Sequence, residues 1–157
     1  MPSKVRRIVS GGQTGADRAA LDFAIENDID YGGFVPRGRL AEDGEIPSRY
    51  AHLTEAATSD PAERTRLNVL SSDGTILITH GPPVGGSGQT KEFAHSLGKP
   101  LLHIDLANES IADAAEKAAE WLALTGCQTL NIAGPRASEE PDTYSAVMEF
   151  LRILFKK

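Results

Sequence analysis

Five short apolar runs recur along the chain: "RRIVS" (6–10), "YGGFVP" (31–36), "GTILIT" (74–79), "KPLLHIDL" (99–106) and "TLNIAG" (129–134). Each is followed, directly or after a loop, by a longer amphipathic stretch. Consecutive parallel strands need a crossover of a dozen residues or more, usually a helix, whereas antiparallel strands can be joined by tight turns. The alternation therefore predicts an α/β fold: a single Rossmann-like domain over residues 1–157, with a parallel sheet of about five or more strands, helices on both faces and right-handed crossovers. "GTILIT" is the clearest strand, continuously apolar and β-branched between glycine-bearing turns, as expected of a strand covered on both faces.

The helical stretches carry their own stop and start signals. "GADRAALDFAIEN" follows the first strand, and Asp60 and Pro61 read as cap and first residue of "PAERTRLNVLSS". Gly98 closes "TKEFAHSLG" and Gly126 closes "SIADAAEKAAEWLALTG". "PDTYSAVMEFLRILFKK" is read as the last helix, with lysines in its favourable final turn. "RGRLAEDGEIPSRYAHLTEAATSD" reads as one long polar loop.

A chain of 157 residues, 40% hydrophobic, has material for a substantial core. Cys127 is the single cysteine, so no intramolecular disulfide forms, and a cytoplasmic setting is expected. Its surroundings read as a helix end before a strand, where a small sulfur packs well. No run of eighteen apolar residues occurs, which leaves no membrane partner to expect. A net charge of −6 argues against nucleic acid as a partner. Local charge differs: Arg18, Arg37, Arg39, Lys91 and Arg136 lie in or beside Gly/Pro-rich loops. A cationic pocket in an acidic protein points to a small anionic ligand.

In open α/β sheets, ligands bind beyond the carboxyl ends of the strands, near the point where strand order reverses. That rule selects four loops, 11–17, 36–49, 80–90 and 134–141. In "SGGQTGADR", Gly11 and Gly12 free the backbone to leave the strand and Gly15 lets the next helix pack closely. The helix start then offers amide donors to an anion. Gln13 and Asp17 lie in this turn, Thr14 can cap the helix or donate to a phosphate oxygen, and Arg18 can supply a fork. "GPPVGGSGQTKE" repeats the arrangement: Gly85, Gly86 and Gly88 open the backbone, Ser87 and Thr90 offer hydroxyls, Gln89 lies between them, and Lys91 adds charge. Were the two preceding strands neighbours, the turns would face each other. Glu92, one turn into the helix, either favours the helix dipole or serves as a general acid or base. No G-x-x-x-x-G-K-[ST] or G-x-G-x-x-G pattern is present, which argues against P-loop and dinucleotide chemistry. His52, His80, His95 and His103 lack metal-ligand spacing, and only His80 falls near the pocket. No metal ligated directly by the protein is expected.

The blocks "SGGQTGADRAALDFA", "PRGRLAEDGEIPSRY", "RTRLNVLSSDGTILIT", "GGSGQTKEFA", "GKPLLHIDL" and "LNIAGPRAS", in this order, resemble the molybdenum-cofactor carrier family. That family is the circularly permuted YpsA type of the SLOG, or lysine-decarboxylase-like, superfamily. "VGGSGQTKE" is similar to the phosphoribohydrolase motif P-G-G-x-G-T-x-x-E, matching at Gly85, Gly86, Gly88 and Glu92, while Val84 replaces the proline and Gln89 the threonine. The resemblance implies a carrier for molybdenum cofactor, or for a related phosphorylated pterin or nucleotide. The metal would be held by the cofactor's own dithiolene, and Arg37, Arg39, Arg64 and Arg136 become further anion contacts. Asn68 would either join them or stabilise the neighbouring loop. Association into a homo-oligomer is a property of related proteins. Two alternatives stand beside the carrier: a nucleoside-monophosphate hydrolase using Glu92, and a nucleotide-sensing module.

Overall fold

The computed structural model describes residues 3–156. The main elements are β1 (Arg7–Val9), α1 (Ala16–Glu26), β2 (Asp30–Gly32), β3 (Phe34–Val35), β4 (Leu40–Ala41), β5 (Gly44–Glu45) and β6 (Thr54–Glu55). They continue with α2 (Pro61–Ser71), β7 (Gly74–Thr79), α3 (Gly85–Ser96), β8 (Leu101–Asp105), α4 (Ile111–Thr125), β9 (Thr129–Ala133) and α5 (Thr143–Leu154). Five strands form one parallel sheet in the order β2-β1-β9-β7-β8. This is the expected α/β class, with a sheet of five strands and helices around it.

Side-chain alternation divides the sheet into two unlike faces. Ile8, Ile76, Ile78, Leu130 and Ile132 belong to the main core, which Phe23 of α1, Leu122 of α4 and Phe150 of α5 complete. The alanines of α1, Ala16, Ala19, Ala20 and Ala24, are fully buried there and let the helix lie close to the strands. The intervening positions, including Thr75 of β7 and Asn131 of β9, belong to the other face, where α2 and α3 pack together. The local signals work as read: Asp60 Oδ1 accepts from the Ala62 amide at 3.0 Å ahead of Pro61, and Gly126 closes α4 at φ 64°.

One open question is answered and four expectations need correction. β1 and β7 are not neighbours, because β9 inserts between them. "YGGFVP" is two strands: the chain turns at Gly33 (φ 128°), whose Cα lies against the Ser10 backbone, and Phe34–Val35 leaves the main sheet to pair with β6. The long polar loop contains the β4–β5 hairpin and β6. Finally, α3 begins at Gly85, so Gly85, Gly86, Ser87, Gly88 and Gln89 form its opening turns rather than a loop before it. The last helix ends at Leu154 with Arg152 as the basic residue of its final turn; Lys156 follows it, and Lys157 lies outside the described residues.

Candidate functional site

Beyond the carboxyl end of the central strand lies a cavity of about 240 Å³. Its floor is β9 and the residues after it, from Asn131 to Gly134. One wall is the β1–α1 turn, through Gly11, Gln13 and Asp17, and the opposite wall is the first turns of α3. The third side is one face of α2: Pro61, Arg64, Thr65 and Asn68 follow the i, i+3, i+4, i+7 spacing that lines up side chains on a helix. Arg136 and Glu139 complete the lining. Strand order reverses here, since the chain moves outward from β1 to β2 and later from β7 to β8 before β9 returns to the middle.

The β1–α1 turn is shaped by close approach. A Cβ on Gly15 (φ 81°) would stand 2.5 Å from the Pro135 carbonyl oxygen, and Gly15 thereby lets the turn after β9 pack on the start of α1. The polar groups of this turn are matched within the protein. The Ala16 amide donates to the Pro135 carbonyl (3.2 Å), the Gln13 amide to Asp17 Oδ2 (3.2 Å) and the Thr14 amide to Gln13 Oε1 (3.0 Å). Arg18 donates from Nε to the Gly12 carbonyl (3.0 Å) and forms a two-pronged pair with Asp43 at 2.8 and 2.9 Å. Asp43 is held below the ordinary aspartate range, mainly by that bond.

Its neighbour Glu42 behaves as an anion docked on this same turn. The Glu42 carboxylate accepts from the Thr14 hydroxyl, from the Ser138 amide (3.1 Å) and from the Ser138 hydroxyl (2.5 Å), with Arg136 Nε at 3.6 Å. The Ser138 and Thr14 hydrogen bonds keep its carboxyl below the usual range. The β4–β5 hairpin thus delivers two adjacent acids onto Thr14, Arg136 and Arg18, groups that the sequence offers to an external anion.

Arg64 and Asp17 form the charged wall. Arg64 Nη1 donates to the Gly11 carbonyl at 2.7 Å and stands 4.0 Å from Asp17 Oδ2, with side-chain exposures of 11% and 13%. Burial pushes the Asp17 carboxyl above its usual value, against the pull of Arg64, the Gln13 amide, Ser10 and Arg18. Facing them, the start of α3 is open. Its N-cap, Val84, is 65% exposed and offers no side-chain cap. The amides of Gly85 and Gly86 have no acceptor among the described residues, and a Cβ on Gly86 would meet nothing within 4 Å.

Of the residues singled out from sequence, Gly11, Gln13, Asp17, Gly85, Gly86, Ser87, Gln89, Thr90 and Arg136 line the cavity together. Gly12, Thr14, Gly15 and Arg18 shape its wall from behind, and Gly88 lies inside the first turn of α3. Arg37 and Arg39 are elsewhere: Arg39 Nη2 donates to the carbonyls of Ile46, Pro47 and Tyr50 and organises its own loop. Glu92 is exposed on α3 and does not line the cavity, so the position read as a general acid or base stands away from it. His80 borders a smaller hollow of about 90 Å³ that shares Ser87 and Glu139 with the main one. Among the described residues, no group of three or more His, Cys, Asp or Glu is arranged to hold a metal, and no helix is long and apolar enough to cross a membrane.

Sequence reading missed Glu42, Asp43 and Asn131. The acids sit in "AEDGE", which reads as solvated polar loop, and their partners lie 25 to 96 residues away. Asn131 is a polar residue inside an apolar strand run, and that interruption was the available signal.

Comparison with known proteins agrees with this architecture. No functionally curated protein matches the chain in sequence. A crystal structure from Syntrophus aciditrophicus, described as a "putative molybdenum carrier protein", is 52% identical over 98% of this chain and 97% of its own, with a TM-score of 0.96. Residues 8–155 match the model of the circularly permutated YpsA SLOG family. With nearly the whole chain matched, and the fold reproduced in a relative more than half identical, this protein belongs to the circularly permutated YpsA SLOG family.

Proposed function

We propose that the chain is a single ligand-binding domain that carries molybdenum cofactor, or a related phosphorylated pterin or nucleotide, in the cavity above β9. The observation that carries this reading is the pairing of two unclaimed amides at the start of α3 with Arg64 across the same cavity. Backbone donors at a helix start, reinforced by its dipole and by a guanidinium, suit a phosphate. The description of the Syntrophus relative supports molybdenum cofactor as the cargo. That cargo brings its own dithiolene to hold the metal, so this chain's task is to bind the phosphate, orient the pterin and exclude water. Glu92, the carboxylate read as the candidate for glycosidic hydrolysis, is exposed and does not line this cavity.

Native mass spectrometry of gently purified protein, with a molybdenum assay on the same sample, tests the reading. Co-purified pterin mass together with molybdenum is the expected result. Release of free base from a nucleoside monophosphate would replace the carrier with an enzyme.

A further inference from the structure

Three almost wholly buried polar side chains line the cavity: Asn68, Thr90 and Asn131, each 3% exposed. Two of them are fully engaged with backbone. Asn68 accepts from the Phe34 amide (2.7 Å) and donates to the Phe34 carbonyl (3.0 Å), which pins β3 to α2. The Thr90 hydroxyl donates to the Gly86 carbonyl at 3.0 Å. Asn131 differs: its Nδ2 donates to Thr75 Oγ1 at 3.1 Å, while its Oδ1 has no partner among the described residues. Thr75 and Asn131 are register partners on β7 and β9, so the amide is fixed between two strands of the sheet.

Oδ1 opens onto the cavity, so without a protein partner it is an acceptor available to water or to a donor on an occupant. On the middle strand of a buried sheet an apolar residue would be the ordinary choice. Here α2 and α3 leave the space above Asn131 open. An occupant that displaces water from this floor brings a donor of its own or leaves the acceptor unpaired, at a cost of about 1–3 kcal/mol. On the wall beside it, the Asp17 carboxylate supplies a second acceptor, held by Arg64.

We propose that Asn131 is the selectivity residue of the cavity. Its Oδ1 accepts from a ring N–H or exocyclic amine of a flat nitrogen heterocycle whose phosphate lies against the Gly85 and Gly86 amides and Arg64. The inference rests on the carrier reading and narrows the ligand to heterocycles with a donor edge, such as the 2-amino-4-oxopyrimidine ring common to pterins and guanine.

Calorimetric titration of the whole chain with GMP, which has that edge, and with ribose 5-phosphate, which lacks any heterocycle, tests it. Wild-type protein is expected to bind GMP at least about tenfold more tightly, a difference of about 1.4 kcal/mol. Asn131→Leu should bring GMP to within about twofold of ribose 5-phosphate measured on the same variant; Asn131→Ala serves if the leucine variant melts early. Asn131→Asp, with acceptors only, should keep the preference. A GMP preference that survives Asn131→Leu and Asn131→Ala overturns the assignment. Ribose 5-phosphate bound as tightly as GMP by the wild type removes the selectivity proposal alone, whereas binding of neither probe overturns the phosphate-site reading as well.

Discussion

The β1–α1 turn and the start of α3 are both glycine-rich, both follow a strand of the same sheet, and both line one cavity, yet their polar groups are in opposite states. At Gly11–Asp17 the amides of Gln13, Thr14 and Ala16 have partners, and Glu42 and Asp43 supply the negative charge that the turn attracts. At Gly85–Gly86 the amides have no partner among the described residues and no side chain caps the helix. Glycine content says how closely a backbone may be approached, not by what. In the first turn the approaching group is the protein itself, and in the second the space is left for something else.

The largest effect that would break this contrast is steric. Gly15→Ala places a Cβ 2.5 Å from a backbone oxygen at a φ of 81°, so urea denaturation should show a loss of at least about 3 kcal/mol. Gly86→Ala meets open space in a helix and should be neutral or stabilising by up to about 1 kcal/mol. Equal losses in the two variants would end the distinction. Arg64→Ala comes next. It removes the bond to the Gly11 carbonyl and leaves the buried Asp17 without its nearest cation. A loss of about 1–3 kcal/mol is expected, together with at least tenfold weaker phosphate-ester binding by calorimetry.

Smaller effects sharpen the picture. Glu42→Gln and Asp43→Asn should each lower stability by less than about 1 kcal/mol, since both acids sit at the surface. Their carboxyls are depressed in the folded state. Their contribution is therefore present above the ordinary carboxylate values and lost as pH falls through the lower folded ones. Acid melts of the double variant should be flatter there than those of wild type. A further effect is alkaline. Burial and bonding to Asp22 hold Tyr144 up to about 12, and burial lifts Cys127 to about 12. The folded chain then keeps protons that the unfolded chain has released, so stability falls as pH rises from the ordinary values toward 12. Tyr144→Phe should make that fall shallower in pH-dependent melts.

What could be read from sequence followed from the range of the interactions involved. The five main strands and five helices announce themselves because periodicity, caps and glycine stops act within a few residues: Asp60 on Ala62, Gly126 after Thr125. β6 and the break between β2 and β3 were not legible, because two-residue strands pair only with partners about twenty residues away. The start of α3 was misplaced because glycines read as loop, while helix starts tolerate them. Candidate residues were found where backbone freedom signals a turn, as at Gly11 and Gly85. The roles of Arg18 and Glu42 were not, because charge alone does not say which opposite charge it will meet.

The central strand is contributed after every other strand of the main sheet: β9 comes last in sequence and enters between β1 and β7. Until residues 129–133 are made, the inner edges of β1 and β7 have no partner in the sheet, and β2-β1 cannot join β7-β8. Such edges are open to wrong partners, and non-local closure of this kind slows folding. The same step that seals the sheet also installs Asn131 and the turn that carries Arg136. Completion of the sheet and formation of the cavity are thus a single event, since a chain lacking β9 has no floor beneath α2 and α3.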